Sequence, residues 1–136
     1  MYSNFHVSLP CKDINKTIQF YTQELGIEIG RNNSEWVDFN LYGCQLTFVL
    51  AEDFKFQYPF YVLDNEKLPS FHFGVILESE EWEDLHDKIN RWSTDTIVKK
   101  TFFEDKNGEQ SSFFVIDPNG YHIEFKTFKE HDEIFM

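Results

Sequence analysis

Phe71-His72-Phe73-Gly74-Val75-Ile76-Leu77 is the stretch whose reading decides the fold. It is short, apolar and rich in β-branched and aromatic residues, so it reads as a strand in which His72 points to the face opposite its apolar neighbours. Ser79 can cap a helix that follows, with Trp82, Leu85, Ile89 and Trp92 recurring on one side. Glu80, Glu81 and Glu83 fall near its N-terminal end, where the dipole favours negative charge. Strands are then expected over 97–104, 110–116 and 121–127. Asn107-Gly108 and Asp117-Pro118-Asn119-Gly120 supply the turns between them. The order is βαβββ.

Moving toward the N-terminus, the same order is found a second time. A strand over 5–9 carries His6, and Asp13 can cap a helix with Ile14, Ile18, Tyr21 and Leu25 at helical spacing before Gly26 stops it. Strands over 27–31, 35–42 and 44–51 complete the set. The 136 residues therefore read as one domain: module 1 at about 4–51, a linker at 52–70, module 2 at about 71–128 and a short tail at 129–136. The linker is aromatic-rich and contains Pro59 and Pro69; it reads as a packed connection, with folding over a cavity mouth as the alternative. In the tail, Ile134, Phe135 and Met136 can dock onto the body or onto a partner subunit.

Composition excludes several function classes. A net charge of −12 argues against a nucleic-acid or anionic membrane surface. No apolar run reaches membrane-spanning length, and no secretory signal is visible at the N-terminus. Cys11 and Cys44 form no Cys-x-x-Cys motif, which fits a reducing, cytoplasmic setting. The 16 phenylalanines are too many for one pocket, so most are expected in the core.

Three strand residues carry the candidate chemistry. His6, His72 and Glu124 each stand among apolar neighbours that point the other way, and two imidazoles with one carboxylate suit a non-heme iron site with open positions. In the strand over 44–51, Leu46, Phe48 and Leu50 read as core, which turns Gln45 and Thr47 toward a cavity. His122 shares the Glu124 face; it reads as a surface histidine at a turn end, with acid or base catalysis as the alternative. His86 and His131 read as solvent-facing, and Tyr121 lies on the face opposite Glu124.

Paired βαβββ modules, an opening strand with His6, the Phe20-Tyr21 and Leu25-Gly26 pairs and a closing Asp117-Pro118-Asn119-Gly120-x-x-Ile123-Glu124-Phe125 resemble the vicinal-oxygen-chelate superfamily over residues 4–128. That group includes lactoylglutathione lyases, type I extradiol dioxygenases, fosfomycin-resistance enzymes and bleomycin-binding proteins. More narrowly, Trp36-Val37-Asp38-Phe39, Gly43-Cys44-Gln45-Leu46 and Gly108-Glu109-Gln110 are similar to a bacterial branch labelled predicted extradiol dioxygenase. The resemblance implies an α+β fold, with two βαβββ modules forming curved mixed sheets around a metal-binding cavity and helices outside. It implies His6, His72 and Glu124 as metal ligands, and Gln45 as a fourth ligand or a hydrogen-bonding neighbour of the site. The branch often has His where this chain has Cys44.

The number of ligands bears on the reaction. Three leave room on an octahedral ion for two vicinal substrate oxygens and dioxygen, whereas a fourth from Gln45 suits a metalloisomerase that stabilises an enediolate. Only Arg31 and Arg91 are available to bind glutathione carboxylates, so the resemblance is read as extradiol-dioxygenase-like. The expected cofactor is a divalent metal, Fe(II) ahead of Mn, Ni or Zn, and the expected partner a small, catecholic substrate. The alternatives are the lactoylglutathione-lyase-like isomerase and a non-catalytic binder of a cationic aromatic compound. Open sheet edges favour a homodimer.

Overall fold

The computed structural model describes residues 3–92 and 99–136, and separates them into two compact units. The first comprises residues up to 56 together with 117–120; the second comprises 57–116 and 121–136. Among the described residues no helix is long and apolar enough to cross a membrane.

In the first unit, strand β1 (His6–Cys11) leads into helix α1 (Ile14–Gln19). The Asp13 side chain accepts from the Lys16 amide, as a cap should. The helix then widens into a π-helical turn over Phe20–Glu24, where the spacing predicts continuous helix, and Gly26 ends it with φ 69°. Strands β2 (Glu28–Asn32), β3 (Trp36–Leu41) and β4 (Cys44–Leu50) complete a mixed sheet in the order β1-β4-β3-β2, with β1 parallel to β4. Tyr21, Val37, Phe39, Leu46 and Phe48 are buried between helix and sheet. The turn Asp117-Pro118-Asn119-Gly120 belongs to this unit although its sequence lies in the second repeat. There the Tyr21 hydroxyl donates to Asp117 Oδ2 at 2.9 Å, and Asn119 accepts from the Lys12 amide at 2.9 Å.

The second unit repeats the plan with β7 (Phe73–Ile76), α2 (Ser79–Trp92), β8 (Lys99–Phe102), β9 (Gln110–Ile116) and β10 (His122–Phe128), in the sheet order β7-β10-β9-β8. Here β7 runs parallel to β10. The expected start of β8 at Ile97 and the side chain of Trp92 lie outside the described residues. Trp82, Leu85 and Ile89 on α2 are buried; the Trp82 ring packs on Phe113, which stacks on Phe125, and the Trp82 indole N–H donates to the Phe125 carbonyl.

The reading of the linker changes. Residues expected to form a plain connection contain a hairpin, β5 (Phe60–Leu63) and β6 (Glu66–Pro69), closed by Asp64 and Asn65 at φ 49° and 67°. Two consecutive left-handed residues make the turn whose twist matches a hairpin. In the tail, Phe135 is 98% exposed.

His86, read as solvent-facing, is buried because it lies one turn after Trp82, between that indole and the Phe113 ring. Burial first, and then the nearby Lys99 charge, lower its pKa, against the smaller opposing effects of Asp87 and Glu83. The unfolded chain takes up a proton near the ordinary value of 6.5 that the folded chain resists. Stability should therefore be whole above about pH 6.5 and fall as pH drops toward the lowered folded value. Urea unfolding of His86→Leu from about pH 7.5 to about pH 5 should give a flatter acid limb than wild type; parallel curves would refute this.

Candidate functional site

The second unit gathers most of the candidate side chains on one face of its sheet. Alternation along β10 sends Ile123 and Phe125 into the core and turns His122 and Glu124 to the other face, where Phe114 of β9 is the cross-strand partner of Glu124. His72, just ahead of β7, places Nε2 3.3 Å from Glu124 Oε1. Its ring also stands edge-on to Phe114. The other ring nitrogen, Nδ1, donates to the Pro69 carbonyl at 3.0 Å, which leaves Nε2 as the atom that faces the carboxylate.

Charge and burial oppose each other in this pair. The Glu124 hydrogen bond raises the His72 pKa above the ordinary imidazole value, although burial acts the other way; the Pro69 contact adds to the rise. Burial penalises the Glu124 charge, yet the His72 hydrogen bond, with help from Lys126, outweighs it and holds the carboxyl below its usual range. Two lone-pair atoms 3.3 Å apart need a cation between them. A proton can serve, and so can a divalent metal: adjacent ligands at about 2.1 Å from one ion lie roughly 3 Å apart. The donor set of this half-site therefore fits a metal.

The linker hairpin covers the same face. Leu68 and Leu63 pack against Phe102 and Phe114, and the rings of Tyr58 and Phe60 stand edge-on to His122. The Tyr58 hydroxyl is hydrogen-bonded to His122 Nδ1. This overturns the surface reading of His122, which is only 9% exposed. Burial, and then the neighbouring His72 charge, lower its pKa. Partial burial, and then Glu124, raise that of Tyr61 on β5. Neither tyrosine was singled out from sequence; the dense aromatic run 56–61 around Pro59 was the available signal.

In the first unit His6 is exposed on β1, where its Cα partner is Gln45 on β4. Gln45 and Thr47 do point away from buried Leu46 and Phe48. Both are turned to Asp38, itself 7% exposed: Thr47 Oγ1 donates to Oδ1 at 2.7 Å, and Gln45 Nε2 to Oδ2 at 3.4 Å. Arg31 approaches the same Oδ2 at 3.4 Å while its guanidinium lies over Trp36. Arg31, Asp38 and Gln45, with Asn4 and Asn40, border an open cleft of about 440 Å³.

Strand register compares the two repeats directly. Gln45 is the partner of His6 itself, whereas Glu124 partners Gly74, two residues beyond His72. The residue two beyond His6 is Ser8, and its partner is Thr47. By register, Thr47 is thus the counterpart of Glu124, and Gln45 is the counterpart of His122. Gly43-Cys44-Gln45-Leu46-Thr47-Phe48 set beside Gly120-Tyr121-His122-Ile123-Glu124-Phe125 carries the same signal in sequence. Among the described residues no three His, Cys, Asp or Glu side chains come together as a metal cluster; the His72–Glu124 pair is what the structure assembles.

These features define the class. The model of the Glyoxalase/Bleomycin resistance protein/Dioxygenase superfamily matches residues 5–125, and the chain belongs to that family. Its fold is shared with a glyoxalase/bleomycin resistance protein/dioxygenase from Alicyclobacillus acidocaldarius, at 21% identity, TM-score 0.82, and coverage of 98% of this chain and 96% of the other. It is similar to the fosfomycin resistance protein FosX from Listeria monocytogenes at 18% identity and TM-score 0.68, each chain 98% covered. A lactoylglutathione lyase from Agrobacterium tumefaciens matches at 12% identity and TM-score 0.65, with 93% of this chain and 94% of that one covered. No curated protein matches the sequence.

Proposed function

We propose that this chain is a metal-dependent oxidoreductase of the extradiol-dioxygenase kind acting on a small catecholic substrate, with His6, His72 and Glu124 as ligands to a divalent ion, Fe(II) ahead of Mn, Ni or Zn. The observation that carries the reading is the His72–Glu124 pair, two donor atoms 3.3 Å apart with the His72 ring held from behind by Pro69. His6 is assigned as the third ligand because it opens the first repeat as His72 opens the second. Bound there, Fe(II) would chelate two vicinal oxygens and leave a position for dioxygen.

The register supports an oxygenase over an isomerase. An isomerase of the lyase type needs a fourth ligand from the first repeat, and the position matching Glu124 holds Thr47, whose hydroxyl is engaged by Asp38. Gln45 is one pleat away and turned to the same carboxylate. The chain's own groups would then hold and enclose the substrate, with Phe114, Phe60 and Tyr61 as aromatic surroundings for a flat ring. A homodimer is proposed with it, since β1 and β2 are the outer strands of the first sheet.

Anaerobic purification and metal analysis test this reading. Wild type and Gln45→Ala should bind Fe(II) alike, while Glu124→Ala and His72→Ala should lose affinity by roughly 100-fold or more. Equal metal content in wild type and Glu124→Ala would sink the proposal. Oxygen uptake with catechols should accompany the iron, and methylglyoxal with glutathione should not be turned over.

A further inference from the structure

The linker hairpin brings one polar group to the Glu124 face that the metal reading leaves unused. Tyr58, two residues before β5, reaches His122 with its hydroxyl at Nδ1, while its ring and that of Phe60 stand edge-on to the imidazole at 5.8 and 6.0 Å. His122 has little rotational freedom in this setting. It is 9% exposed and enclosed by two aromatic rings on a strand whose register is set by β7 and β9.

A hydrogen bond between a phenol and an imidazole has a preferred direction. The imidazole nitrogen is much the more basic acceptor, and the phenol is the more acidic donor, so the O–H donates to Nδ1. A neutral ring whose Nδ1 accepts must carry its proton on Nε2, and that nitrogen can then only donate.

We propose that Tyr58 is a positioning residue: it fixes His122 in the Nε2–H tautomer, making the ring a hydrogen-bond donor to an anionic oxygen of the ligand held beside His72 and Glu124. The donor role rests on the metal-site reading above; the tautomer does not. His122 is thereby assigned to stabilise a deprotonated substrate oxygen and not to abstract a proton. The linker acquires a function through it, because the segment leading into the hairpin also sets which nitrogen of His122 bears hydrogen.

Two measurements test the two parts. Long-range ¹H–¹⁵N correlation spectra of the metal-free protein, with His122 assigned by its loss in His122→Gln, should give the Nε2–H pattern in wild type and a mixture in Tyr58→Phe. An Nδ1–H ring in wild type, or an unchanged ring in Tyr58→Phe, overturns the proposal. The second measurement titrates 4-nitrocatechol into the Fe(II)-loaded protein. His122→Leu should weaken binding roughly tenfold, the scale of one lost hydrogen bond to a charged group, and Tyr58→Phe by less. His122→Gln, whose amide N–H₂ can still donate, should recover most of the affinity. Equal losses in the Gln and Leu variants overturn the donor role. Wild type that binds neither iron nor nitrocatechol refutes the metal reading and with it the donor role, while the spectra judge the tautomer independently.

Discussion

Gly74→Ala is expected to unfold the second unit or to leave it barely stable, a loss of roughly 3–5 kcal/mol, at the upper end for a single substitution. Gly74 is the Cα partner of Glu124 in the parallel pairing of β7 with β10. A Cβ added there would fall 2.6 Å from the Glu124 carbonyl carbon and 2.9 Å from its amide nitrogen, with the carbonyl oxygen closer still. The obstacle is backbone on a central strand, which cannot swing aside as a side chain can. Relief requires β7 to move off β10, and His72 stands directly ahead of β7. On the proposed metal reading, any folded fraction should also bind Fe(II) less well. Urea unfolding of both proteins gives the stability; a variant as stable as wild type would show that the strands do not approach this closely.

Asp117→Ala should cost about 3 kcal/mol, because one buried carboxylate is the acceptor for several donors. Asp117 is 4% exposed and takes the Tyr21 hydroxyl at 2.9 Å, the Asn119 amide at 2.9 Å and the Asn119 side-chain N–H at 3.1 Å. Removing it withdraws the acceptor and leaves the donors buried, which is the costly direction. Tyr21→Phe removes a donor instead and leaves the carboxylate its Asn119 bonds, so it should cost only about 1 kcal/mol. The contrast between the two midpoints is the measurement; equal losses would mean that packing around the Tyr21 ring, and not acceptor loss, dominates.

The repeat was legible in the sequence because each module must bury one face of a sheet under one helix. That need leaves apolar residues at period two in strands and at helical spacing in α2. What escaped reading had physical reasons. The hairpin over 60–69 has Phe60, Tyr61, Val62 and Leu63 in a row, so alternation is absent; its signal is the Asp64-Asn65 pair, both in left-handed conformation. His86 was set outside the helix stripe by its polarity, yet its position between Leu85 and Ile89 places it on the Trp82 side. His122 looked like a turn-end residue because the aromatics that bury it, Tyr58 and Phe60, are more than sixty positions away in sequence. For Gln45, the resemblance implies a fourth ligand or a hydrogen-bonding neighbour, and pairing with β1 sets it opposite His6, with Thr47 opposite Ser8. Local pattern and cross-strand register are different kinds of information, and register reports the position in the sheet.

The assignment of residues 117–120 to the first unit bears on how the protein is made. Synthesis proceeds from the N-terminus, and domains ordinarily mature in the order in which they leave the ribosome. Here the repeat translated first has bonds between Tyr21 and Asp117, Lys12 and Asn119, and Thr17 and Asn119, across sequence separations of 96, 107 and 102 residues. Until that distant turn emerges, Asp117, which accepts from the Tyr21 hydroxyl in the complete fold, has not yet been translated. The half of the chain that is born first is the half that must wait.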